Sequence, residues 1–307
     1  MPGEVRVEIG GIGLLLRYKD RWIKESKNST LNIKDFIQPG ENDFIIDVKV
    51  GKLPGYPKQR VLFEARENWR SYIYNGKHIF ETYNNNADIT GVCIIEKALN
   101  KAKAYILPWA ENKRNNRRDK PFFKKSWSLE SFMRILGQLI FISILDKYQG
   151  LLIHSSGIIL NGEGIIFCGI SGTGKTTLAK LWQKRDGVTV LSDDRLIVRR
   201  EKKGYFVYGS PWPGEGNVVS HQAAPLRKII FLLKAQQNKL TPLEKKASLY
   251  QLITQCFPAI WDKEGIDFSL KFCAALIKDI PCFSFGFVPD ERAVEFIEDK
   301  IAVDAIY

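Results

Sequence analysis

Gly169-Ile170-Ser171-Gly172-Thr173-Gly174-Lys175-Thr176 is the stretch on which the reading of this chain turns. It fits G-x-x-x-x-G-K-[ST], a phosphate-binding P-loop. The task dictates the residue types. Several successive backbone N–H groups must face one phosphate, so side chains are small and φ is free. Lys175 supplies a point charge at the β- and γ-phosphates, and the Thr176 hydroxyl suits Mg²⁺. Outward from the motif, Gly164 to Cys168 is a short apolar run, read as a buried strand feeding the loop. Thr177 to Lys184 has helical spacing, with Leu178, Leu181 and Trp182 on one face. Strand, glycine-rich loop and helix is the setting the motif needs, and the helix N-terminus adds partial positive charge. The phosphate-holding set is Gly169, Ser171, Gly172, Thr173, Gly174, Lys175, Thr176 and Thr177.

One helix further on, the apolar run Val188 to Ser192 ends in Asp193-Asp194. A carboxylate at a strand end beside a P-loop organises Mg²⁺. It can also take a proton from an acceptor hydroxyl. Two adjacent acids point differently and can divide these tasks. The metal set is therefore Thr176, Asp193 and Asp194. His154 ends another apolar strand fifteen positions before Gly169. Tyr208 to Gly216 gathers turn formers around Trp212 and Glu215, which reads as a surface loop or as a loop over the nucleotide or acceptor.

The chain has 307 residues, a hydrophobic content of 45% and a net charge of +12. That length suits two domains. No run reaches the ~18 apolar residues of a membrane span, and the first residues lack an apolar signal core. Five widely spaced cysteines form no CxxC or Cys/His cluster, so neither zinc nor a disulfide framework is suggested and a reducing cytoplasm is expected. Lys113, Arg114, Arg117, Arg118, Lys120, Lys124 and Lys125 crowd one segment. It reads as a solvated linker, or as a surface for an acidic peptide. Without a helix-turn-helix, zinc finger or RNP motif, nucleic acid is disfavoured.

Before that segment the chain is β-rich. Arg70 to Tyr74, Asn75-Gly76 and Lys77 to Tyr83 spell a hairpin with a type I′ turn. An antiparallel meander is expected over residues 1 to about 112. After it, a helix opens at Ser126 or Ser128 with Phe132, Ile135, Leu136, Leu139, Ile140 and Phe141 on its buried stripe. Leu151–His154 and Gly157–Leu160 read as two strands, and residues 241–280 as helical. The expected division is a β-rich N-terminal domain with basic linker, 1–125, and a P-loop domain, 126–307.

The run from His154 to Leu160, the loop from Gly169 to Thr177, and Leu191-Ser192-Asp193-Asp194-Arg195 together resemble the HPr kinase/phosphorylase family. They are closer still to the HPr-kinase-related proteins of peptide-modification gene clusters. The resemblance implies an α/β P-loop kinase core of the HPr kinase/phosphoenolpyruvate carboxykinase type. It implies that Lys175 binds phosphates and Thr176 ligates Mg²⁺. Asp193 would be the catalytic acid/base, Asp194 would assist at metal or nucleotide, and His154 would neighbour the transferred phosphoryl, giving a catalytic set of Asp193, His154 and Lys175. Ile170 and Thr177 stand where the HPr enzymes carry acids, and Ser210 to Glu215 stands in place of their Glu-x-Arg-Gly-x-Gly signature.

The expected function is an ATP- and Mg²⁺-dependent kinase acting one way on a Ser/Thr hydroxyl of a small protein or peptide, acidic in one reading, with no membrane partner. A homo-oligomer is compatible with this. A small-molecule phosphotransferase, a carboxykinase-like enzyme and a non-catalytic nucleotide-dependent switch stay open.

Overall fold

Period-two alternation builds the first strands. Val7 and Ile9 are buried in β1 (Gly3–Ile9), Leu14 and Leu16 in β2 (Ile12–Tyr18), and Ile46 and Val48 in β3 (Phe44–Val50). With β4 (Phe63–Ala65), β5 (Trp69–Tyr74), β6 (Lys77–Tyr83), β7 (Ile89–Ile95) and β8 (Lys101–Ile106) they form an eight-stranded sheet, ordered β1-β2-β3-β8-β7-β6-β5-β4. Asn75 and Gly76 join β5 to β6 with φ of 50° and 72°, as a type I′ turn demands. The sheet is not the expected all-antiparallel meander. β3 lies parallel to both β2 and β8. Residues 19–43 separate β2 from β3, enough chain for the crossover a parallel pair needs.

A helical run follows: α1 (Leu129–Phe132), a π-helical turn (Met133–Gly137) and α2 (Gln138–Ile144). Ser128 caps it, its Oγ accepting from Ser131 N at 3.0 Å. Phe132, Leu136, Leu139, Ile140 and Phe141 are buried as expected, and Ile135 is half-buried.

This computed structural model describes residues 3–19, 31, 33–56, 61–65, 68–84, 87–107 and 128–304. The basic segment Lys113–Lys125 lies outside them. Two compact units emerge, one of residues 1–8 and 12–144, the other of residues 9–11 and 145–307. This split, at 144/145, divides the chain by contacts alone. No described helix is long and apolar enough to cross a membrane.

In the second unit, β9 (Gly150–Leu160) is one strand where two were expected. Ser155, Ser156 and Gly157 do not break it, because they pair with Cys168, Phe167 and Ile166 of β10 (Glu163–Cys168). Then come α3 (Lys175–Trp182), β11 (Val188–Ser192), β12 (Arg195–Glu201), β13 (Gly204–Tyr208), β14 (Ala223–Lys234) and β15 (Lys239–Pro242). α4 (Lys245–Ile253), α5 (Lys263–Asp279), β16 (Cys282–Phe287) and α6 (Glu291–Asp304) complete the unit. The second sheet also has eight strands, with β14 parallel to β10 and to β16. Strands buried on both faces read as unbroken apolar runs. Ile165 and Phe167 pack against Leu178, Trp182 and Val294, from α3 and α6. Ile166 and Cys168 face Leu252, Phe272 and Leu276, from α4 and α5. The molecule is thus a mixed α/β chain with two sheets, and the glycine-rich loop leaves the C-terminal end of a buried parallel strand.

Candidate functional site

The loop between β10 and α3 is built as its sequence demands. Gly172 and Gly174 adopt φ of 80° and 105°, open to glycine and strained for other residues. A Cβ on Gly174 would sit 2.7 Å from the Phe287 ring, so packing forbids a side chain there too. Thr173 folds inward, its Oγ1 donating to Ile170 O at 2.8 Å. Lys175 Nζ donates to Gly169 O at 2.6 Å and Ile170 O at 3.3 Å, inside the loop's own curve. Burial pulls the Lys175 ammonium below its ordinary pKa, against the opposing charge of Asp194. A cation held only by neutral carbonyls, at the N-terminus of a helix, suits a phosphate.

The two acids after β11 have different surroundings. Asp193 is 1% exposed. Its Oδ1 accepts from Gly214 N at 3.0 Å and Val218 N at 3.3 Å, and its Oδ2 from Gly216 N at 2.7 Å. The donors come from the Ser210–Val218 loop, in which Trp212 is buried and Glu215 exposed. A Cβ on Gly216 would lie 2.6 Å from Asp193 Oδ2 and 3.0 Å from Thr176 Cγ2. That glycine therefore lets the loop close onto Asp193 and the P-loop threonine together.

Asp194 faces side chains. Its Oδ1 lies 3.2 Å from His154 Nδ1 and its Oδ2 2.7 Å from an Arg195 Nη. Strand pairing sets this up, since Arg195 of β12 stands opposite His154 of β9 and Ser155 N donates to Asp194 O at 2.9 Å. Burial alone would raise the Asp194 carboxyl. The His154 hydrogen bond and the charges of Arg195, His154 and Lys175 hold it below the usual value instead. His154 Nδ1 also lies 3.1 Å from Asp194 O. Both neighbours are acceptors, so the ring proton is assigned to Nδ1, leaving the lone pair of the neutral ring on Nε2.

The wall behind His154 comes from a distant segment. Gln255 O accepts from His154 N at 2.6 Å, and Phe257 N donates to Leu152 O at 2.9 Å. The Phe257 ring meets His154 edge-on at 6.3 Å, and the Arg195 guanidinium lies 5.2 Å from its centroid. Sequence reasoning gives Arg195 a place in the resemblance but no role, and does not mark Phe257 at all. Adjacency to the acid pair was the only signal of a role for Arg195, and Phe257 had none.

Among the described residues, no group of three or more His, Cys, Asp or Glu could hold a metal by itself. Mg²⁺ typically takes one or two carboxylates and completes its shell with waters and substrate phosphates. Thr176 with one carboxylate, Asp194, fits that pattern, whereas the enclosed Asp193 does not.

A family model described as "ScmC: SynChlorMet cassette protein ScmC" matches residues 124–283, just over half of the chain. The chain belongs to the ScmC family. That description speaks of a cassette protein, as the gene-cluster part of the resemblance implied, and names no reaction. Among solved structures, this ScmC-family chain is similar to the Hpr(Ser) kinase/phosphatase from Coxiella burnetii. The identity is 11%, over 51% of this chain and 99% of that one, with a TM-score of 0.33, too slight a likeness to argue from. No curated protein matches the chain in sequence.

Proposed function

We propose that this chain is an ATP-dependent kinase that transfers the γ-phosphoryl group to a Ser or Thr hydroxyl of a small protein or peptide. One observation carries the reading. Asp194 Oδ1 lies 3.2 Å from His154 Nδ1, and a Cβ on Gly216 would meet both the adjoining Asp193 and Thr176 of the glycine-rich loop. That proximity supports a reading in which the glycine-rich loop holds phosphate beside a proton-accepting pair.

The roles follow from the surroundings. The backbone of Gly169–Thr177 cradles the phosphates, and Lys175 leaves its carbonyl partners to meet them. Thr176 with the Asp194 carboxylate would hold Mg²⁺, which when bound neutralises phosphate charge; Asp193, its oxygens already taken by backbone N–H groups, is set aside as a metal ligand. His154 Nε2 takes the proton from the acceptor hydroxyl as that oxygen attacks phosphorus. Asp194 fixes the ring and stabilises the imidazolium that results. Asp193, wrapped by three backbone N–H groups, anchors the Ser210–Val218 loop. This reading gives Asp193 a different task from the acid/base role the resemblance implies, because a carboxylate so enclosed has little room for a hydroxyl.

The test is transfer of labelled γ-phosphate from ATP·Mg²⁺ to Ser/Thr peptides, acidic ones included. Label appearing on a peptide hydroxyl supports the kinase. Tight ATP binding without transfer to peptides or small hydroxylic metabolites points to a nucleotide-dependent switch.

A further inference from the structure

The five cysteines are all free thiols, and two of them touch. Cys256 Sγ lies 3.5 Å from Cys273 Sγ. Cys256, just after α4, is partly exposed, whereas Cys273 on α5 is 1% exposed. Cys256 also sits in the segment that backs His154. It bridges to Ile153, and its neighbours Gln255 and Phe257 bond the backbone of His154 and Leu152.

We propose that Cys256 and Cys273 form a reversible disulfide that ties α5 to the wall of the His154–Asp194 site. The oxidant is a low-molecular-weight disulfide such as oxidised glutathione. Cys256, the less buried of the two, attacks it as the thiolate, forms a mixed disulfide and releases one glutathione thiolate. Cys273 then passes its proton to the glutathione thiolate released in the first step, and its sulfur displaces the second glutathione, which leaves as a thiolate and takes a proton from solvent. Two protein thiols are oxidised and one external disulfide is reduced to two thiols, so electrons and protons balance. An S–S bond of ~2.05 Å requires the sulfurs to close by about 1.5 Å. That movement draws Cys256 toward α5 and with it the segment carrying Gln255 O and the Phe257 ring. The hydrogen bond of Cys273 and burial push the Cys256 thiol well up, so exchange near neutral pH is slow, on the scale of hours.

The test exposes the reduced full chain to oxidised glutathione for hours. Thiol titration should fall from five to three, peptide mapping should join Cys256 to Cys273, and dithiothreitol should reverse both. Amide hydrogen exchange should change at His154 and Phe257. Cys256→Ser, whose hydroxyl can keep the 3.1 Å bond to Leu252 O, should abolish the crosslink, and Cys256→Ala serves if that variant folds poorly. A stable glutathione adduct on Cys256, a different linked pair, or a crosslink that leaves exchange at His154 and Phe257 unchanged overturns the proposal. A reversible fall in transfer on oxidation, at unchanged ATP affinity, is a further expectation that rests on the kinase reading. The thiol, mapping and exchange results do not, so the two can fail separately.

Discussion

Glu81 in the first unit and Asp194 in the second are both shielded carboxylates with strong partners, yet only Asp194 is proposed for chemistry. Glu81 is 6% exposed and accepts hydrogen bonds from Tyr56, Tyr72 and Tyr83. Burial, then the bond to Glu81, raises all three phenols above their ordinary pKa. Three neutral donors saturate it, two of them from its own sheet. Asp194 is held by His154 and Arg195, within electrostatic reach of the P-loop cation, and its histidine keeps one ring nitrogen for a further partner. A buried acid becomes a site when its partners can still change protonation or meet a ligand. Burial by itself separates nothing, as fully wrapped Asp193 shows.

Substitution should divide the two regions sharply. Lys175→Ala should cost transfer about 10²–10³-fold or more, as removal of a preorganised charge at a transition state does. The fold should survive, which circular dichroism and urea titration check. Near-wild-type transfer from a folded Lys175→Ala protein would remove the second unit's claim to the chemistry. His154→Asn and Asp194→Asn should each lower kcat by ~10²-fold or more, with ATP affinity changed little for His154→Asn. If Asp193→Asn proves the deader enzyme while its loop stays ordered, the roles of the two acids are reversed.

Glu81→Gln should do the opposite, leaving transfer per folded molecule within about twofold while lowering stability by roughly 1–3 kcal/mol through unmatched buried partners. A folded Glu81→Gln protein with crippled transfer would break the comparison from the other side. Asp193→Asn should also destabilise by about 1–3 kcal/mol, since one of its backbone donors would meet an NH₂ group. Urea unfolding measures both.

The smallest effect concerns pH. Phenols raised in the folded state keep their protons while unfolded ones titrate near pH ~10. The folded chain then binds more protons, and stability falls as pH climbs above that value. Urea midpoints between pH 8 and 11 should decline, and Tyr56→Phe should flatten the decline. An unchanged slope in that variant would mean the phenols around Glu81 contribute nothing to it.

Local sequence carried the glycine-rich loop and the Asn75-Gly76 hairpin, because both depend on backbone freedom at consecutive residues. The acid pair was visible, but the difference between its members was not. It depends on Gly214, Gly216 and Val218, which return to Asp193 only in three dimensions. Phe257 reaches His154 from more than a hundred residues away. The polar Ser155-Ser156-Gly157 stretch looked like a break in β9, since nothing in its composition announces a partner strand on either side. Parallel placement of β3 was hidden for the same reason, its neighbour β8 being five strands later in the chain.

The packing of Phe287 against Gly174 sets a schedule for biosynthesis. A ribosome working at roughly 5–20 residues per second completes the glycine-rich loop well before it reaches Phe287, with about 110 residues and some 6–20 s still to come. β16, which lies parallel to β14 and carries that ring, is made last of the strands. During this interval the nascent loop lacks the ring that packs against Gly174. Protease sensitivity of the glycine-rich loop should therefore be higher in a chain cut before β16 than in the full chain, and should fall once Phe287 is included.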